Sequence, residues 1–301
     1  MSVLWSPFDK PWVIAHRGAS GLLPEHCLPG YALAIEQGCD VIEPDLVASG
    51  DGQLFARHDL GLRRSTDIAS SPDFATRAQC GRNGIEDWWI SDFRAAEIDQ
   101  LRALQPWSQR PHHRDSTFAI PRFAAILDLL MMERRRRQRP IQVYPELKEP
   151  QYFMDRGIDL VDALLAELTP RHLTGRDAPV LVQCFDLPTL MRLRERCDLR
   201  LILLCDDLPD LDTCPVDGFG IRKSVLLDER GADFIAAAHA RGQIVHAWTF
   251  RDDQPVAGLT AEEECARAFA AGCDGLFCDF PATALRARER AFARARSEVH
   301  A

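Results

Sequence analysis

Val13-Ile14-Ala15-His16-Arg17-Gly18 and Val41-Ile42-Glu43-Pro44-Asp45 decide how this chain is read. In each, a short apolar run suited to a buried strand gives way abruptly to charge. The same change occurs at Leu54-Phe55-Ala56-Arg57-His58-Asp59 and at Ile141-Gln142-Val143-Tyr144-Pro145-Glu146-Leu147-Lys148. Parallel strands closed into a barrel bring the side chains at their carboxyl ends to one mouth, where such folds do their chemistry. Residues two apart on a strand share a face, so Glu43 with Asp45, and Glu146 with Lys148, point the same way.

Outward from these stretches, apolar runs recur near residues 12–16, 41–47, 141–147, 179–185, 199–205, 217–222, 243–249 and 274–279. Helical spacing fills most of the gaps, for example at 28–37, 160–168, 187–196, 232–241 and 261–271. Strand and helix in alternation imply a parallel sheet, and eight such units imply closure into a (β/α)8 TIM barrel of the α/β class. Residues 54–58 follow the turn signal Ser49-Gly50-Asp51-Gly52 and read as a return arm antiparallel to the end of the second strand. That reversal carries His58 back to the mouth. Residues 60–116 break the alternation and form an insertion subdomain after the second barrel strand, within one domain spanning 1–301. A long excursion of this kind builds a wall or lid over a site. For Trp88-Trp89 inside it, anchoring to the barrel is favoured over an apolar shelf at the mouth. Residues 284–301 read as a helix with its arginines on a solvated face.

Composition narrows the function. A chain of 301 residues can bury the core of one such barrel, which needs about 250. The net charge of −9 argues against a nucleic-acid partner and against stable attachment to anionic membranes. An anionic substrate would therefore need a local cationic site. The ten cysteines show no metal or disulfide spacing and read as free, mostly buried thiols, which fits a reducing compartment. With neither a signal peptide nor a membrane span evident, a cytoplasmic protein is expected, or a periplasmic one if the true start lies upstream.

Three acids, two imidazoles and two cations at one mouth describe a metal-assisted phosphoryl-transfer site. Glu43, Asp45 and Glu146 are hard oxygen ligands, suited to one divalent cation, Mg²⁺ or Ca²⁺, rather than zinc. His16 and His58 can serve as an acid–base pair, while the other histidines take the default reading of core or surface. Arg17 offers a planar fork and Lys148 a point charge to phosphate oxygens. For Lys148 a plain ion pair with Glu146 or Glu149 is the competing reading. Gly18 permits a close backbone approach, and Trp248 can wall the site for a glycerol backbone. The run Arg134–Arg137 reads as a solvated helix end, and Gly218-Phe219-Gly220 as a strand closely approached by backbone.

These residues, in this order, resemble the glycerophosphodiester phosphodiesterase family, in the branch that includes the bacterial periplasmic enzymes. The likeness rests on Ala15-His16-Arg17-Gly18-Ala19-Ser20, Leu23-Pro24-Glu25, Glu43-x-Asp45, Asp51-Gly52, His58-Asp59 and Glu146-x-Lys148. It continues through Gln183-Cys184-Phe185-Asp186, Trp248-Thr249 and Asp274-Gly275-Leu276-Phe277-x-Asp279-Phe280-Pro281. The resemblance implies hydrolysis of glycerophosphodiesters to sn-glycerol 3-phosphate and an alcohol. By it His16 and His58 are acid and base, Glu43, Asp45 and Glu146 hold the metal, and Arg17 and Lys148 meet phosphate. Glu25, in a loop beside the site, is counted with Arg17, Lys148 and Trp248 as substrate-binding. The family's usual Pro-Glu-Asn-Thr is here Pro24-Glu25-His26-Cys27, which removes a turn bond and a helix cap. Alternatives are a phospholipase D-like or lysophospholipase D-like enzyme that stops at a cyclic phosphate, or a non-catalytic barrel that binds glycerophosphodiesters. Head group, choice of metal, the starting base and oligomeric state stay open at this level.

Overall fold

The computed structural model describes residues 10–81 and 84–299. Its barrel strands are β1 (Trp12–His16), β2 (Val41–Glu43 and Asp45–Ala48), β3 (Gln142–Val143 and Glu146–Leu147), β4 (Leu181–Cys184), β5 (Arg200–Cys205), β6 (Gly218–Arg222), β7 (Ile244–Phe250) and β8 (Gly275–Cys278). Each pairs in parallel with its neighbours, and β8 returns to β1 through Trp12↔Gly275 to Ala15↔Cys278, closing the ring. The expected α/β barrel is therefore present. β2 and β3, expected as continuous strands, are each interrupted at a proline, Pro44 and Pro145, which has no N–H for the ladder.

The longer helices cover the outside: α1 (Leu28–Gln37), α2 (Phe123–Arg137), α3 (Leu160–Leu168), α4 (Leu187–Arg194), α5 (Gly231–Ala240), α6 (Ala261–Ala270) and α7 (Pro281–Val299). Residues 206–217 join β5 to β6 without a helix. The ends of α1 follow from local chemistry: Pro29 suits its first turn, and Gly38 in the left-handed region closes it with N–H bonds to Ala34 and Ile35. One large apolar cluster lies between sheet and helices, while a smaller one fills the barrel interior with Trp12, Ile14, Tyr144, Ile202 and Phe277. All ten cysteines are free, seven of them buried. Among the described residues, no helix is long and apolar enough to cross a membrane.

The return arm forms as expected, Leu54–Ala56 pairing antiparallel with Leu46–Ala48. The stretch 60–116 consists mostly of single turns and one short antiparallel pair, Gln79–Cys80 with Glu86–Asp87. Trp88 anchors it internally, buried and donating its indole N–H to Phe74 O at 2.7 Å. Gly218 permits a close approach by β7, since a Cβ there would lie 2.3 Å from Ile244 O. The expectation for the terminal helix needs correction at Arg288, which is buried and bonds Pro11 O and Asp40. It ties the helix to the start of the barrel instead of facing solvent. The side chains of Arg294 and Arg296, and residues 1–9, lie outside the described set.

His246 sits inside the barrel with no exposure, its Nδ1 3.2 Å from Tyr144 Oη and its Nε2 without a hydrogen-bond partner among the described residues. Burial pulls its pKa from the ordinary 6.5 down to about 4. Between those pH values the unfolded chain binds a proton that the native ring refuses, so stability falls as pH drops from 6.5 toward 4. The effect amounts to about 3 kcal/mol at most. Urea unfolding across that range should show a shallower loss for His246→Phe than for the wild type.

Candidate active site

Register builds the site. His16 ends β1 and lies opposite Glu43 on β2, Asp45 opposite Glu146 on β3, and Glu146 opposite Gln183 on β4. Pro44 breaks the ladder without reversing the chain, so Glu43 and Asp45 keep a common inward face. Glu43, Asp45 and Glu146 are buried, and each offers an oxygen within 4.8 Å of the others.

Such crowding has to be compensated. Glu43 receives the Arg17 backbone N–H at 2.9 Å and Gln183 Nε2 at 3.0 Å. Asp45 Oδ2 forms an ion pair with Arg17 Nε at 3.1 Å and a hydrogen bond with His26 Nε2 at 3.0 Å. Lys148 Nζ lies 2.7 Å from Glu146 Oε1, so the ion-pair reading of Lys148 holds while it also lines the cavity. Burial, then Asp45 and Glu146, drives the Glu43 pKa well above the carboxylate range. Burial lifts Glu146 to about 8, with Asp45 adding to the rise and Lys148 opposing it. At Asp45 burial also resists ionisation, but Arg17, Lys148 and the His26 bond outweigh it and hold the pKa well below normal.

The residues present fit a cation. With the neighbouring carboxyls ionised, Asp45 Oδ1 is buried without a donor among the described residues. An all-oxygen set with excess negative charge is the chemistry a hard divalent ion satisfies. This cluster can hold a metal ion.

Both expected histidines reach the mouth, each with a carboxylate behind it. His16 Nδ1 lies 2.6 Å from Asp279 Oδ1, and His58 Nδ1 2.6 Å from Asp59 Oδ1. Burial, then Arg17, lowers the His16 pKa to about 4 despite Asp279, leaving the ring neutral at ordinary pH. With Nδ1–H donated to Asp279, Nε2 carries the free lone pair. Asp279 is held ionised against burial by His16, Arg251 and Arg110. Arg110 comes from the insertion: its Nη2 is 2.6 Å from Asp279 Oδ2, and its Nε 2.8 Å from Asp253.

Arg17 adopts a left-handed backbone, φ 60°, uncommon for a bulky residue and a mark of a constrained site. Glu25 Oε2 grips its Nη1 at 2.9 Å; Glu25 holds Arg17 and does not line the cavity. Gly18, φ 84°, is required by neighbouring backbone, because a Cβ there would sit 2.8 Å from Gly30 C and 2.9 Å from Tyr31 N. The close approach expected at Gly18 is therefore to helix α1.

A cavity of about 290 Å³ opens over the cluster, lined by His16, Arg17, Glu43, His58, Glu146 and Lys148. Phe185, Leu204, Trp248 and Phe277 add an apolar part; Arg64, Trp107 and Arg251 add a cationic one. Trp248 is where it was expected, its indole N–H bonded to Gly220 O at 2.9 Å. The insertion tryptophan at the cavity is Trp107, and neither Trp88 nor Trp89 lines it.

Sequence reasoning gave no site role to Asp279, Arg110, Trp107 or His26. His26 was assigned to core or surface; it is buried, with φ 60°, and links Tyr31 Oη at 2.8 Å to Asp45. Its place in the family's Asn position was the available signal, since Asn tolerates that φ and can donate in the same way.

The comparisons agree on one family. The model of the glycerophosphoryl diester phosphodiesterase family matches residues 16–283. A glycerophosphodiester phosphodiesterase of Arabidopsis thaliana is 27% identical over 318 residues, covering 90% of this chain and 84% of the relative. One from Haemophilus influenzae is 29% identical over 204 residues, 64% of this chain and 56% of the relative. A phosphodiesterase from Oleispira antarctica, solved with the product sn-glycerol-3-phosphate, superposes with a TM-score of 0.69 at 23% identity, covering 92% of this chain and 96% of that one. A Thermotoga maritima glycerophosphodiester phosphodiesterase gives 0.63 at 17%, covering 93% and 100%.

Replacing His26 separates packing from backbone preference. His26→Ala should cost about 2 kcal/mol or more, by opening a cavity beside Tyr31 and removing a donor from Asp45. His26→Asn should cost less, because Asn suits the left-handed backbone and keeps an N–H. Denaturant midpoints of the two variants check the order.

Proposed function

The chain belongs to the glycerophosphoryl diester phosphodiesterase family, and on that footing we propose that it hydrolyses glycerophosphodiesters to sn-glycerol 3-phosphate and an alcohol. The observation that carries this reading is the convergence of Glu43, Asp45 and Glu146 beside two carboxylate-backed histidines in one cavity. Support also comes from the Oleispira antarctica structure, which holds sn-glycerol-3-phosphate.

Glu43, Asp45 and Glu146 would hold one divalent ion, Mg²⁺ or Ca²⁺. When bound, such an ion withdraws charge from phosphoryl and hydroxyl oxygens and lowers the hydroxyl pKa. Arg17 and Lys148 steady the phosphoryl oxygens, and Trp248 with Phe185 receives the glycerol carbons. The neutral Nε2 of His16 takes the proton of the glycerol 2-hydroxyl as that oxygen bonds to phosphorus. His58 gives a proton to the departing alcohol oxygen as its bond to phosphorus breaks. The resulting cyclic phosphate is opened by water, whose proton goes to His58 while His16 returns its own to the 2-oxygen. Asp279 and Asp59 keep both rings in the tautomer with Nδ1 protonated.

Residues 1–301 act as one catalytic unit, with 60–116 as a wall of its mouth. The ten free thiols favour the cytoplasm as its place of work.

A coupled assay for released glycerol 3-phosphate, run with glycerophosphoinositol and glycerophosphocholine, tests the activity directly. Exhaustive chelation should abolish turnover, and add-back of Mg²⁺ or Ca²⁺ identifies the ion. Glu146→Gln should lower kcat by about 10²-fold or more with circular dichroism unchanged. Full activity of that variant, or of chelated enzyme, rejects the metal assignment.

Asp279→Asn tests the histidine. An amide facing Nδ1 favours the wrong tautomer, so kcat should fall by about 10²–10⁴-fold while KM moves little. Unchanged kcat removes His16 as the base.

A further inference from the structure

Beyond steadying Asp59 and Asp279, the cationic part of the cavity has no task in the chemistry just described. Trp107 stands among three guanidiniums, the Cζ atoms of Arg110, Arg64 and Arg251 lying 5.0, 5.3 and 5.5 Å from its ring centroid. Trp248, the other tryptophan of the cavity, has Arg222 at 5.3 Å and Phe185 edge-on at 5.8 Å. Capture of a quaternary ammonium depends on aromatic faces that are open to a cation. Here both tryptophans already engage arginines, and a further cation would meet like charge.

Arg64 and Arg251 are placed to face an anion instead. Arg64 Nη1 is 3.3 Å from Asp59 Oδ2, and Arg251 Nε is 3.0 Å from Asp279 Oδ2. The other oxygens of those two acids serve His58 and His16, so both acids are fully engaged. A guanidinium carries five N–H donors, which leaves each arginine with several to offer. Arg64 is also accessible, its side chain 43% exposed. Its partner Asp59 backs His58, the group that protonates the departing alcohol in the reaction above. The leaving group therefore departs on the Arg64 side. Two guanidiniums against one ring, Trp107, suit the several acceptor oxygens of a phosphate dianion better than a lone carboxylate.

We propose that Arg64, with Arg251 and Trp107, forms the leaving-group subsite and selects glycerophosphodiesters whose alcohol bears a second phosphate over those bearing a quaternary ammonium. This rests on the diesterase reading, and its test separates the two. Initial rates are compared for glycerophosphoinositol 4-phosphate, glycerophosphoinositol and glycerophosphocholine with the metal-loaded enzyme. The phosphorylated head group should lead in kcat/KM by about tenfold, the order a charge-assisted hydrogen bond supplies. Arg64→Gln should bring that ratio toward one, chiefly through KM for the phosphorylated diester. A wild-type preference for the choline diester, or a ratio that survives Arg64→Gln, overturns the head-group assignment and leaves the diesterase reading standing. Absence of cleavage of all three diesters overturns both.

Discussion

Three carboxylates buried within 4.8 Å of one another would repel, and much of the molecule around the barrel mouth answers to that fact. Arg17 is held in a left-handed turn so that its backbone serves Glu43 and its side chain serves Asp45. Glu25 secures the same guanidinium from behind, and Lys148, just past the end of β3, neutralises Glu146. Even so, burial first and the neighbouring acids after it keep the Glu43 and Glu146 pKa values raised, and among the described residues three acids face only the two cations Arg17 and Lys148. That remaining deficit is the physical basis for assigning a divalent ion to the site.

The second organising element is Asp279. It lies at the end of the last barrel strand, yet it orients a histidine from the first and accepts bonds from Arg110 of the insertion and Arg251 beyond β7. The insertion is thus fastened to the same carboxylate that positions the proposed base. The insertion and the proposed base share one anchor, so a shift of Arg110 would reach the His16 ring through Asp279.

Much of this was legible in the sequence because strands write their geometry in period two. Glu43 with Asp45, and Glu146 with Lys148, follow from alternation alone, and the alternation of elements gave the barrel. The proline interruptions at Pro44 and Pro145 were visible as residues, but their effect is a matter of ladder bonding. Asp279 stands 263 residues from His16, so the pairing depends on ring closure that no local pattern announces. Arg110 and Trp107 sit in an irregular stretch without periodicity, where position is set by tertiary contacts. His26 was hidden for another reason: its polarity suits a surface loop, and only the left-handed backbone shows that it is aimed inward.

Ring closure carries a consequence for how the protein comes into being. The final barrel strand zips onto the first, and Arg288 of the terminal helix clasps Asp40 and Pro11. On a ribosome, His16 emerges 263 residues ahead of the carboxylate that aligns it. An unfinished or prematurely terminated chain therefore carries an unaligned ring and an open sheet edge. The His16 ring can therefore be aligned only once the last barrel strand has been made.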